Sequence, residues 1–141
     1  MRVLLDTNVV LDFILKRKDF FNDAEQIFKH LDENLIEVFV ATITPINVFY
    51  TTRKERDKAS AFKAVKFLVD AVQFCVDDIS VFKQALDLDF SDYEDAVQCA
   101  SAIAANLDAI VTRNAKDYKK SPLPIYSPAE FLAHLQNQSA G

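Results

Sequence analysis

The chain has 141 residues, 16 basic against 21 acidic, for a net charge of −5; half its residues are apolar and 26% are charged. That is one domain's worth of ordinary globular sequence, able to bury roughly 68% of its unfolded surface around one core, and it excludes both a disordered chain and a protein that coats phosphate by bulk positive charge. The single glycine is Gly141, so Walker loops, dinucleotide fingerprints, kinase lids and GxSxG elbows are all excluded. In chain order, Arg2–Leu5 is an apolar run ending at an acid and predicts a buried strand. Asp6–Lys18 has Val9, Val10, Phe13 and Ile14 at helical spacing, and Asp23–Leu31 continues as a helix with Ala24, Ile27, Phe28 and Leu31 on one face. Ile36–Ala41 predicts the second strand. Thr44 before Pro45 reads as an N-cap with proline at the first helical position, opening a helix toward Arg56. Asp57 caps the next helix, through Val69; Val72–Val76 is the third strand, and Ser80–Leu88 is helical.

Ser91-Asp92-Tyr93-Glu94 fits a capping box and opens a small-residue helix through Ala105. Ala109–Val111 is the fourth strand and Pro124–Tyr126 a short fifth. Ser127-Pro128-Ala129-Glu130 is a second capping box, starting the terminal helix. Strands alternating with helices predict an α/β fold: a three-layer α/β/α sandwich around a four- to five-stranded, mainly parallel sheet. Residues 1–135 form one domain in this reading and 136–141 a flexible tail. Without glycine, the turns must use Asn, Asp and Pro.

Two cysteines (Cys75, Cys99) and two histidines (His30, His134) are too few for a thiolate or imidazole zinc cage. The cysteines read as buried small hydrophobes, the histidines as structural or surface residues, and the compartment as cytoplasmic with reduced thiols. Asp6, Asn8 and Asp12 interrupt the apolar stretch Val3–Leu15, and no cleavage site follows it, so no signal peptide is expected. No run reaches the ~20 apolar residues of a membrane span, and no membrane partner is expected.

Ligands of open α/β sheets bind beyond the carboxyl ends of the strands. There the sequence places Asp6, Thr7 and Asn8 after strand one, Asn47 after strand two, and Thr112, Asn114 and Asp117 after strand four. Asp92, Glu94 and Asp95 open the helix preceding strand four and reach the same edge if that helix runs antiparallel to the strands. Two carboxylates ~4 Å apart repel by about 4 kcal/mol at an effective dielectric near 20. A gathering of acids therefore persists with protons or a cation among them. Oxygen ligands without His or Cys suit Mg²⁺ or Mn²⁺, which activate water and clamp phosphoryl oxygens. Blander roles compete: Asp6 as a helix N-cap, Asp92 as a first-turn partner of the helix dipole, Asp117 as a solvated loop acid.

Taken together, these segments resemble the PIN-domain nucleases. Leu4-Leu5-Asp6-Thr7-Asn8-Val9-Val10-Leu11-Asp12 is similar to their opening motif, Asp92-Tyr93-Glu94-Asp95-Ala96-Val97-Gln98 with Ala102 to the third, and Ile110 through Tyr118 to the fourth; Ser127–Leu132 resembles the usual close. The resemblance implies a PIN-like fold, Mg²⁺- or Mn²⁺-dependent RNA cleavage, and kinship with VapC-type toxins that have an antitoxin partner. It makes Asp6, Asp95 and Asp117 the catalytic and metal-binding carboxylates. Asn8, Asp92, Thr112 and Asn114 support them: Asn8 braces Asp6, while Thr112 and Asn114 orient water or ligands. Arg113 and Lys116 flank the site and are candidates for substrate phosphate. The aromatics read as core, with an exposed excess for a homodimer or an antitoxin helix.

One position departs. Family members commonly carry a glutamate at the start of the helix after strand two, where this chain has Asn47. As a metal ligand an amide brings no charge and accepts no proton, so weaker metal binding and loss of a proton relay are expected. Glu94 could move in, against its capping-box role. The competing function is a non-catalytic RNA- or partner-binding PIN domain. A phosphotransfer enzyme is a third: a dehalogenase-type phosphatase wants an acid where Asn8 stands, and a receiver wants an acid pair after strand one. The chain has neither, although Asp77-Asp78 follows strand three.

Overall fold

The structure is a computed structural model that describes residues 1–140. Its strands are β1 (Arg2–Leu5), β2 (Glu37–Val40), β3 (Gln73–Phe74), β4 (Ala109–Val111) and β5 (Ile125–Tyr126). They form one sheet in the order β3-β2-β1-β4-β5, with every neighbouring pair parallel. Its helices are α1 (Thr7–Ile14), α2 (Phe21–Asp32), α3 (Thr44–Glu55), α4 (Lys58–Ala71), α5 (Ile79–Asp87), α6 (Tyr93–Ala104) and α7 (Pro128–Ala140), with a 3-10 turn at Ala115–Tyr118. The expected three-layer sandwich is what forms. Alternation along the central strands sorts the core: Val3, Leu5, Val38, Val40, Ala109 and Val111 face α1, α2, α3, α4 and α7, while Leu4, Phe39 and Ile110 face α6 and the 3-10 turn. α5 packs outside, on α6. Cys75 and Cys99 are buried, as expected of small hydrophobes.

Left-handed turn residues stand in for the missing glycines. Lys16, Asn34 and Asn106 have φ of 50°, 58° and 55°, each two residues past the end of α1, α2 or α6. At all three ends the double closing hydrogen bond of a glycine-type C-cap forms, as in Asn106 N to Ile103 O (3.0 Å) and Leu107 N to Ala102 O (3.0 Å). Asp19 and Asp89 take the same backbone region. Asn and Asp were anticipated there; Lys16 was not.

Several boundaries differ from the sequence reading. α1 stops at Ile14 because Lys16 turns left-handed, so Asp6–Lys18 is a shorter helix than expected. α3 is capped at Ile43, and Thr44 Oγ1 lies 3.0 Å from Thr7 Oγ1 instead of capping. The cap of α6 is Asp92, whose Oδ1 accepts from Asp95 N at 3.0 Å; the Ser91–Glu94 capping box does not form. The second box does: Ser127 N donates to Glu130 Oε1 (2.9 Å) and Glu130 N to Ser127 Oγ (3.1 Å). α7 runs on through 136–140, where a tail was expected; Gly141 lies outside the described residues. No helix among the described residues is long and apolar enough to cross a membrane.

Candidate active site

The central strand β1 delivers Asp6 to the carboxyl edge of the sheet. Its backbone N–H donates to Val111 O on β4 (2.9 Å), which fixes the residue between the two strands. Asp6 is 5% exposed and is the N-cap of α1, so the bland reading holds, yet the capping bond to Asn8 N (3.4 Å) is the longest that its carboxylate accepts. Oδ1 also accepts from Gln98 Nε2 (3.3 Å) on α6, and Oδ2 accepts from Thr112 Oγ1 (2.8 Å) and Tyr118 O–H (3.1 Å). Every one of these donors is neutral.

Asp95 sits in the first turn of α6, tied there by Asp92, and α6 does bring it to the same edge. The Tyr118 hydroxyl lies 3.3 Å from Asp95 Oδ1, 3.1 Å from Asp6 Oδ2 and 3.3 Å from Gln98 Nε2. It has one proton for two carboxylates. Burial, then the Asp6 and Asp92 charges, push the Asp95 carboxyl up to about 7, against the opposing hydrogen bond from Tyr118. Asp95 is thus near the middle of its titration at neutral pH. Burial, then the charges of Asp6 and Asp95, push the Tyr118 phenol up as well, so it stays a donor. A close acidic pair with oxygen ligands and no cationic partner fits a hard divalent cation in its donor chemistry.

The remaining candidates are less converged. Asp117 is exposed on the 3-10 turn, and its charge is the weakest of those acting on Asp95. Among the described residues no three His, Cys, Asp or Glu side chains converge closely enough to hold a cation as they stand. Thr112 Oγ1 donates to Asp6 Oδ2, and the same hydroxyl accepts from Asn114 N (3.0 Å), which links Asn114 to the site. Asn8 braces Asp6 through its backbone, while its side-chain oxygen meets Arg113 N at 3.5 Å. Asn47 on α3 donates Nδ2 to Glu94 Oε1 on α6 at 2.5 Å.

Arg113 is the clearest departure. Its guanidinium grips buried Asp12 through both oxygens (2.6 and 3.2 Å), with its carbon 4.0 Å from the centre of the Phe20 ring. That geometry makes it a clamp between α1 and the segment after β4, not a free phosphate ligand. Lys116 is exposed beside Asp117, in a hollow of about 360 Å³ that Lys119 and Lys120 also line.

The sequence reading missed Gln98, Tyr118 and Asp12 as organisers. Gln98 carried a usable signal, being the one long polar side chain in the small, buried stretch Ala96–Ala102 of α6. Tyr118 gave none, being a lone aromatic among Lys116, Asp117, Lys119 and Lys120.

Comparison with known proteins agrees with this fold. The VapBC2 complex of Rickettsia felis bound to a promoter DNA fragment is 19% identical, with a TM-score of 0.68 over 90% of this chain and 98% of that one. DNA-bound VapBC of Salmonella typhimurium gives 16% and 0.70 over 91% and 98%. A toxin–antitoxin complex of Klebsiella pneumoniae gives 20% and 0.67 over 89% and 97%. At these identities the likeness establishes the fold. No curated protein matches the chain closely enough to carry a comparison. The PIN domain family model matches residues 2–116, a span that takes in Asp6, Asp95, Gln98 and Thr112, and with this fold around them the chain belongs to the PIN domain family.

Proposed function

We propose that the chain is a metal-dependent ribonuclease, a hydrolase of RNA phosphodiester bonds, and the toxin of a type II toxin–antitoxin module. The observation that carries this reading is the Asp6–Asp95 pair at the carboxyl edge of the sheet, held by neutral donors alone. Such a donor set suits Mg²⁺ or Mn²⁺, with Asp6, Asp95 and Asp117 as carboxylates and residue 47 adding no charge of its own. A bound divalent cation supplies Lewis-acid activation of water and neutralises charge on the phosphodiester. The chain's own residues do the positioning. Gln98, Thr112 and Tyr118 fix both oxygens of Asp6, and Asp92 anchors the turn that presents Asp95. Lys116 and Lys119 offer charge to flanking phosphates. The cut leaves a 5′-phosphate and a 3′-hydroxyl.

Of the similar solved structures described above, one is a toxin–antitoxin complex and two are VapBC complexes, which supports an antitoxin partner. Ile46, Tyr50 and Phe62, each more than half exposed on α3 and α4, suit that partner or a homodimer. A cytoplasmic location follows from the RNA substrate.

The test is cleavage of a panel of labelled RNAs with Mg²⁺ or Mn²⁺, alongside a chelator and the Asp6→Asn variant. Cutting that needs the metal and is lost in the variant is the expected result. Asn47, neutral where the resemblance expects an acid, favours a second reading: a binding-only PIN domain. Folded protein that binds RNA with metal present and leaves it intact would select it.

A further inference from the structure

Position 47 leaves this site one acid short, and the structure shows what its amide does instead. Asn47 Nδ2 donates to Glu94 Oε1 at 2.5 Å, joining the first turn of α3 to the first turn of α6. A glutamate at 47 could not make this contact, having no proton to donate at neutral pH and a charge like that of Glu94. Glu94 is also free of the capping box expected of it. Asp92 has taken the cap, and Asp95 N answers to Asp92. Glu94 immediately precedes Asp95 in the first turn of α6, and the contact sets its carboxyl against residue 47 on α3. Its neighbour Asp95 is linked through Tyr118 to Asp6.

We propose that Glu94 carries the fourth carboxylate of the cation site, and that Asn47 is a positioning residue that holds it there. The charge absent from α3 is restored from α6. Asn47 is then no metal ligand, and the donor set is Asp6, Glu94, Asp95 and Asp117. This inference rests on the metal-dependent reading above. It reverses one expectation drawn from Asn47: a glutamate there adds no affinity, because it removes the donor that holds Glu94 in place.

The experiment is calorimetric titration of the full chain with Mn²⁺ at pH 8, without RNA, in the wild type and in Asp6→Asn, Glu94→Gln, Asn47→Ala and the Glu94→Gln/Asn47→Ala double variant. Glu94→Gln keeps size and hydrogen-bonding capacity, and a thermal melt of each variant checks the fold. Wild type should bind and Asp6→Asn should not. Glu94→Gln should weaken Mn²⁺ by about tenfold or more, Asn47→Ala by several-fold, and the double variant no further than Glu94→Gln alone. Glu94→Gln within about twofold of wild type, with Asp6→Asn still dead, overturns the role of Glu94 and leaves the metal reading standing. Additive losses in the double variant overturn the positioning role of Asn47. No binding by the wild type overturns the metal reading and this inference with it.

Discussion

Replacing Arg113 with Met tests whether that side chain is a clamp or a substrate contact. The guanidinium makes two bonds to Asp12, whose side chain is 1% exposed, and Arg17 stands farther off at 3.7 Å. At ~3 Å and an effective dielectric near 20 the Coulomb attraction is about 5 kcal/mol. Removing one partner of a buried pair typically costs about 3–5 kcal/mol, because the other charge is stranded. Arg17 can still reach Asp12, which puts the loss at the lower end, about 3 kcal/mol. For a chain of this size that lowers the melting temperature by roughly 9 °C. The assay is a thermal melt with a urea series alongside. Arg113→Lys should lose about half as much, keeping the charge but not the two-pronged grip. Asp12→Leu/Arg113→Met should recover most of the loss, since no charge is stranded. A melting temperature within about 3 °C of wild type for Arg113→Met, together with weakened RNA binding, would refute the clamp and return Arg113 to the substrate.

Further outcomes follow from the site and the turns. Asp95→Asn should abolish cleavage with the fold retained, as read by gel assay and circular dichroism. Because the folded-state carboxyl of Asp95 stands at about 7, above its ordinary 3.8, the native state holds an extra proton between those values. Wild-type stability should therefore fall as pH rises from ~4 through ~7, and Asp95→Asn should lack that component in melts across pH. Mn²⁺ must displace the same proton, so its apparent affinity should rise about tenfold from pH 6 to pH 8; a flat profile counts against Asp95 as a ligand. Tyr118→Phe removes a buried donor to two carboxylates and should cost about 1–3 kcal/mol in urea unfolding. Lys16→Gly should raise the melting temperature by roughly 2 °C, because Lys16 has φ 50°, which costs a side chain about 1–2 kcal/mol, partly offset by the entropy of glycine.

The sheet was readable because its information is local. Apolar runs ending at Asp6 or Thr112 report strands that finish at an edge, and the order of strands and helices leaves few topologies. The acids were readable for the same reason, each lying just past a strand or at a helix start. What failed was competition between near neighbours. Ser91 and Asp92 are both good caps, and a pattern cannot say which will sit at the helix end; Asp92 does, and that alone releases Glu94. Lys16 failed differently, since a left-handed lysine is chosen by the packing of α1 and α2 and not by its own propensity.

The hydrogen-bond partners were hidden more deeply, because each is a pairing across the fold. Asp6 meets residues 92, 106 and 112 positions away, and no window of sequence contains them together. Yet their types follow from one requirement. A carboxylate buried at a sheet edge without a cationic side chain must be held by several neutral donors, or its desolvation is uncompensated. Gln98, Thr112 and Tyr118 meet that requirement and leave the negative charge in place. An arginine there would satisfy the same lone pairs and cancel the charge. Arg113, one residue after Thr112, is instead paired with Asp12 through both carboxylate oxygens. The Asp12–Arg113 clamp thus ties α1 to the segment after β4 and commits the guanidinium next to Thr112 to Asp12, so that Asp6 keeps the neutral donors that the proposed cation site requires.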